Sequence, residues 1–92
     1  MPECLVTIRN PTGLHARPAS TLVQLAKSFQ SEITLSHGDK AANAKSILAV
    51  LSLGATQGTC IRIATQGPDA EPALRAVESA INEGLGEGPK GE

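Results

Sequence analysis

Ninety-two residues with a formal net charge of −1 and one aromatic side chain, Phe29, describe a single small domain with an aliphatic core that needs no metal or disulfide framework to fold. The near-neutral charge argues against a nucleic-acid partner or an anionic membrane surface, and the lack of Trp and Tyr removes the stacking platform used on single strands. No apolar run approaches the length of a membrane span, and Met1-Pro2-Glu3 leads straight into a strand pattern, so a cytoplasmic protein without membrane insertion is expected.

Cys4 to Arg9 alternates and is rich in β-formers, which predicts a first strand with Cys4, Val6 and Ile8 on its buried face. Asn10-Pro11-Thr12-Gly13 is turn chemistry. From Ala16 the period changes: Ala19, Leu22, Val23, Ala26 and Phe29 share one face of an amphipathic helix ending near residues 28–30, with Ser20, Gln24 and Lys27 away from it. Glu32 to Ser36 alternates again, with Ile33 and Leu35 inward. His37-Gly38 reads as a two-residue hairpin turn, which makes His37 a turn residue, and Asp39 to Ala44 as a weak edge strand. Ser46 as N-cap and Gly54 as the residue after the end frame a helix of about two turns that is apolar almost all round. So short a helix cannot bury every side, and some of Ile47, Leu48 and Leu51 should be exposed. Thr59 to Thr65 is the fourth strand, with Ile61 and Ile63 inward and Cys60 outward. Asp69 is placed to cap a last helix that tolerates Pro72 in its first turn, carries Ala70, Ala73, Leu74, Val77 and Ile81 as its stripe, and ends at Gly84. Residues 1–84 are read as one domain and 85–92 as a flexible, glycine-rich tail. Cys4 and Cys60 point to opposite faces of the sheet, so free thiols are expected.

The resulting order, βαββαβα, is that of a two-layer α+β sandwich. Pattern alone places it near the ferredoxin-like folds and leaves the strand order open.

The candidate site is Gly13-Leu14-His15-Ala16-Arg17-Pro18-Ala19-Ser20. Pro18 suits only the first turn of a helix, where an N–H has no intrahelical partner to lose. An imidazole and a guanidinium therefore flank the free N–H groups of a helix N-terminus, a natural seat for phosphate. Histidine is nucleophilic near neutral pH, so phosphoryl transfer through His15 is one reading, with a cap residue and a solvated arginine as the other. No His, Cys or Asp cluster has metal-ligand spacing, and neither metal nor cofactor is expected.

The segment Asn10-Pro11-Thr12-Gly13-Leu14-His15-Ala16-Arg17-Pro18-Ala19 resembles the active-site segment of the HPr family, the small phosphocarriers of the bacterial phosphoenolpyruvate-dependent sugar phosphotransferase system. The likeness spans roughly Cys4 to Gly84, with a second patch at Lys45-Ser46-Ile47-Leu48, Ser52-Leu53-Gly54 and Gln57-Gly58. It implies an open-faced, four-stranded antiparallel sheet with three helices on one face and strands one and four adjacent at the centre of the pairing. It also implies that His15 accepts a phosphoryl group from enzyme I and passes it to EIIA domains of sugar permeases. Arg17 and the N–H groups of Ala16 and Arg17 would then hold the phosphate oxygens. Such a protein is a stoichiometric, monomeric carrier rather than an enzyme.

The same resemblance makes Ile47, Leu48 and Leu51, with Arg17, Ser20, Lys27 and Lys45 around them, the partner-docking patch; ordinary core is the competing reading for these apolar residues, Leu51 above all. It makes Ser46 a target of an ATP-dependent HPr kinase/phosphorylase, with a catabolite-control transcription factor as a further partner. The competing reading of Ser46 is a plain N-cap. Two other functions stay open: an HPr-like regulatory or nitrogen-branch paralogue, whose non-transferring forms typically lack the histidine, and a small ferredoxin-like ligand-binding domain in which His15 is only a cap.

Overall fold

The computed structural model describes residues 2–11 and 13–85. The elements run β1 (Glu3–Thr7), α1 (Ala16–Lys27), β2 (Glu32–His37), β3 (Lys40–Asn43), α2 (Ile47–Ser52), β4 (Cys60–Gln66) and α3 (Ala70–Asn82). The strands lie in the order β1-β4-β2-β3 and every neighbouring pair is antiparallel. β1 and β4 are adjacent as expected, but the centre of the sheet is the β4–β2 pair and β1 forms an edge. The chain must cross over β4 to get from β1 to β2, and over β2 to get from β3 to β4. Helices α1 and α2 make those crossovers. This is the open-faced, three-helix α+β sandwich that the HPr resemblance implied, and its strand order was not derivable from local pattern.

Register puts the aliphatic residues on one face. Val6 opposes Ile61, and Ile63 lies between Cys4 and Leu35. Ile8, Leu22, Ile33, Leu35, Ile61, Ile63, Val77 and Ile81 are all essentially inaccessible. Burying one such side chain is worth roughly 1.5–3 kcal/mol, so a core of this size can hold the domain together without aromatic residues. The opposite face carries Glu3, Leu5, Thr7, Cys60 and Arg62, all exposed. Cys4 and Cys60 are free thiols on opposite faces. Cys4 is only half-buried, which still pushes its thiol pKa up, with the charge of Glu78 adding to the effect.

Several local expectations shift. The β2–β3 turn is Gly38-Asp39 rather than His37-Gly38, because His37 pairs with Lys40. Gly38 takes φ +61° at the first central position, where a II′-type hairpin calls for glycine. His37 is thus the last residue of β2, and its Nδ1 lies 3.4 Å from the Leu53 carbonyl oxygen. Asp69 stands at the N-cap position of α3, but its carboxylate makes no cap bond. It accepts instead from the backbone N–H groups of Gln30 (3.0 Å) and Ser31 (2.8 Å) and from the Ser31 hydroxyl, pinning the α1–β2 turn to the start of α3. Those donors hold its pKa below the ordinary carboxylate value, the Ser31 hydroxyl contributing most.

The expected domain boundary also moves. Gly84 has φ +89° and ends α3 as expected. The Gly84 N–H donates to the Ile81 carbonyl at 3.1 Å and the Leu85 N–H to the Ala80 carbonyl at 2.9 Å, the bond pair of a Schellman motif. That motif turns the next apolar side chain back onto the helix. Leu85, expected in the tail, is therefore 2% exposed and part of the core. The rest of the expected tail, residues 86–92, lies outside the described residues.

Candidate functional site

His15 is the N-cap of α1, with extended backbone (φ −87°, ψ −168°) and an exposed side chain. The first intrahelical bond runs from the Ala19 N–H to the His15 carbonyl at 2.9 Å. Pro18, the third helical residue, has no N–H, so the amides that this helix end can offer a ligand are those of Ala16 and Arg17. No acidic residue stands in the first turn. Arg17 is exposed there beside His15. The positive end of the helix, two backbone donors and a first-turn arginine adjoin the residue that carries the imidazole, an arrangement suited to stabilising an anion on that ring. Leu14, on the other side of the cap, is buried in the same core as Ala19, which fixes how the chain enters the helix.

The loop before His15 is held from two sides. On one side, the Leu14 N–H donates to the Ala55 carbonyl at 3.0 Å. Gly13, at φ +73°, lies so close to this segment that a Cβ there would stand 2.4 Å from the Ala55 oxygen and 2.8 Å from the Thr56 Cα. Only glycine meets both demands. On the other side, the Asn10 side-chain amide donates to the Gly84 carbonyl at 2.8 Å. A further register bond, from the Gly58 N–H to the Ile8 carbonyl at 2.8 Å, fastens the strand that leads into the loop.

The expected docking residues fall on α1, α2 and the segment just before α2. Leu48 is the most exposed of the large apolar side chains at 76%, with Ile47 at 38% and Leu51 at 37%. All three are on the surface, so core packing does not account for Leu51. Ser20 is half-buried and Lys27 exposed in the last turn of α1. Lys45 is not a free surface cation: its ammonium donates to the Phe29 carbonyl at 2.7 Å, just past the end of α1. Ser46 is the N-cap of α2, its hydroxyl accepting from the Ala49 N–H at 3.3 Å.

These tethers set the direction of α2. It starts at the Phe29 end of α1 and leads into Ala55, which touches the His15 end. His15 caps the N-terminal end of α1, whereas Lys45, just before Ser46, is bonded past its C-terminal end.

Among the described residues, no group of three or more His, Cys, Asp or Glu side chains could hold a metal ion, and no helix is long and apolar enough to cross a membrane.

Fold and site together define a small open-faced α+β domain that presents one histidine at the anion-binding end of a helix. The chain belongs to the HPr family of the phosphotransferase system: residues 2–83 match the family described as PTS HPr component phosphorylation site. HPr proteins are the phosphocarriers of that system. The chain is 49% identical over 84 residues to the multiphosphoryl transfer protein of Salmonella typhimurium, an alignment covering 88% of this chain and 22% of that protein. It is 48% identical to the protein of that name from Vibrio cholerae, over 88% of this chain and 21% of that one. The chain thus spans about a fifth of the length of these curated relatives. Among solved structures, it is similar to HPr-C-His from Thermoanaerobacter tengcongensis (TM-score 0.90, 42% identity, 95% of this chain and 98% of that one). It is also similar to HPr from Bacillus anthracis (TM-score 0.83, 39% identity, 87% and 95%) and to Crh from Bacillus subtilis (TM-score 0.74, 39% identity, 86% and 91%).

Sequence reasoning passed over two residues at this site. Asn10 reads locally as a turn residue, and its partner Gly84 is 74 positions away. Leu85 reads as part of a polar tail, and only its position after Gly84 at the end of α3 hints at a Schellman contact.

Proposed function

We propose that His15 accepts a phosphoryl group from phospho-enzyme I and passes it to EIIA domains of sugar permeases. The observation that carries this reading is His15 at the N-cap of α1 with Arg17 in the first turn and no acid beside it. A ring nitrogen of His15 attacks phosphorus as the bond to the donor breaks. The Ala16 and Arg17 amides and the Arg17 guanidinium take up the charge on the phosphoryl oxygens. The same groups keep the phosphate in place between partners, and their exposure lets it leave. The protein is then consumed and regenerated with each transfer, as a cytoplasmic, monomeric carrier rather than an enzyme.

Partners dock on the exposed apolar side chains Ile47, Leu48 and Leu51, with Arg17, Ser20 and Lys27 around them and Lys45 positioning the start of α2. Contacts of this size suit brief encounters, with interfaces below about 1,200 Å² in total. Ser46, half-buried at the cap of α2, is the regulatory position: an HPr kinase/phosphorylase would add about two negative charges there, at a helix N-terminus that accepts them without unfolding. The added charge weakens docking of the transfer partners and creates a new surface for a catabolite-control transcription factor.

The test is a chase. Protein charged by enzyme I and phosphoenolpyruvate is freed of both and mixed with an EIIA domain. Loss of phosphate from this chain with matching gain on the EIIA domain supports the carrier role; retention of the phosphate overturns it.

A further inference from the structure

We infer that Asn10 is a positioning residue for phosphotransfer: its amide ties the His15 loop to the C-terminal turn of α3 and so sets where the imidazole stands. The inference rests on the carrier role of His15 and adds to it a residue that touches neither phosphate nor partner in the mechanism above.

Three observations carry it. Asn10 is 1% exposed, a polar side chain in a place where an aliphatic one would bury more apolar surface. Its side chain and its backbone tie it to two different segments. The side-chain N–H donates to the Gly84 carbonyl at 2.8 Å, and the backbone carbonyl accepts from the Gly13 N–H at 2.9 Å, closing the turn that leads to His15. The far anchor is itself fixed. Gly84 and Leu85 both hold positive φ, +89° and +52°, inside the Schellman bonds to Ile81 and Ala80, and Leu85 is buried. A branched residue rarely adopts that conformation, and it persists only where its surroundings over-determine it.

The Gly84 carbonyl is therefore a rigid acceptor aimed at Asn10. With Leu14 bonded to Ala55 on the other side, the loop has one anchor on α3 and one beyond α2, and His15 follows immediately. In-line attack on phosphorus needs the nucleophile held to a fraction of an ångström. With the Asn10 tie the loop before the nucleophile is held on two sides, and without it on one.

The tests are Asn10→Asp, which keeps the shape but replaces the donor with an acceptor facing a carbonyl, and Asn10→Ala. Leu85→Ala loosens the same tie from α3 with Asn10 intact, and serves if the Asn10 variants do not fold. Steady-state transfer from phospho-enzyme I should show kcat down about tenfold with KM within about twofold, since the docking side chains on α2 are untouched. The double variant Asn10→Ala/Leu85→Ala should be no slower than the worse single variant, because both break one tie. Amide exchange of Gly13 and Leu14, read by NMR without any phosphate, should speed up in every folded variant. Wild-type kcat in a folded variant, a rise in KM alone, or additive losses in the double variant would overturn the inference. Unchanged exchange at Gly13 and Leu14 would overturn it as well. A wild-type chain that takes up no phosphate refutes the carrier reading instead, and the exchange measurement then still decides whether Asn10 orders the loop.

Discussion

Replacing Gly13 with alanine attacks the loop at its tightest contact. The new Cβ would lie 2.4 Å from the Ala55 carbonyl oxygen, where an ordinary contact is at least 3.4 Å, so the two segments must separate by the difference of 1.0 Å. Separation on that scale breaks the bond from the Leu14 N–H to the same oxygen, a loss of about 1 kcal/mol. Holding an alanine at φ +73° costs roughly 1–2 kcal/mol more. The sum is about 2–3 kcal/mol, which for a domain of this size lowers the melting temperature by roughly 8–24 °C. Gly54→Ala is the matched control: its φ is +65°, but nothing lies within 4 Å of the added Cβ, so it should lose only the conformational part, about 1–2 kcal/mol. Urea titration of the two variants at neutral pH measures both, and transfer from phospho-enzyme I should fall in Gly13→Ala well beyond Gly54→Ala. Equal destabilisation of the two would refute the close-approach argument.

Arg17→Ala should slow phosphotransfer by about a hundredfold, the usual scale for removing one donor to a developing anion, while leaving the urea midpoint nearly unchanged because the side chain is exposed. Leu48→Ala should likewise leave stability within about 0.5 kcal/mol, since the side chain is 76% exposed, and should raise KM for protein partners. Ser46→Ala removes the cap bond to the Ala49 N–H and should cost about 1 kcal/mol in a thermal melt. The Asp69 carboxylate has a folded pKa below its ordinary 3.8, so it stabilises the fold at pH above that value. That stabilisation is lost as pH falls through the depressed folded value. A urea-midpoint profile from pH 5 to pH 2 should therefore drop at the acid end in the wild type, and should be flatter in Asp69→Asn. Parallel profiles would remove Asp69 from the account.

What was legible in the sequence follows the range of each interaction. The strand alternation of Val6/Ile8 and Ile61/Ile63, the α1 stripe and the caps at Ser46 and Gly54 are local, and each lies where the pattern puts it. Pro18 in a first turn was enough to place His15 at a helix N-terminus. The β2–β3 turn was misplaced by one residue because Gly38 can take positive φ at either central position, and only pairing with β3 decides which. Asp69 looked like a cap because a carboxylate before a helix usually bonds its first turn. Here the Ser31 hydroxyl and two amides from 38 and 39 residues away outcompete those N–H groups. The turn role of Asn10 stands, but its side-chain contact and the burial of Leu85 escape a local reading for the same reason: the Gly84 contact and the Schellman turn exist only once α3 is docked. The sheet centre, β4 against β2, is likewise set by two crossovers that no window of sequence contains.

The most direct test of the central claim is the intact mass of the chain after incubation with enzyme I and phosphoenolpyruvate, set beside His15→Ala treated in the same way. A carrier working through His15 gives one phosphate adduct on the wild type that is lost on brief acid treatment, and none on the variant. An adduct that survives acid, or one that forms equally on His15→Ala, would place the phosphate elsewhere and contradict the assignment of His15.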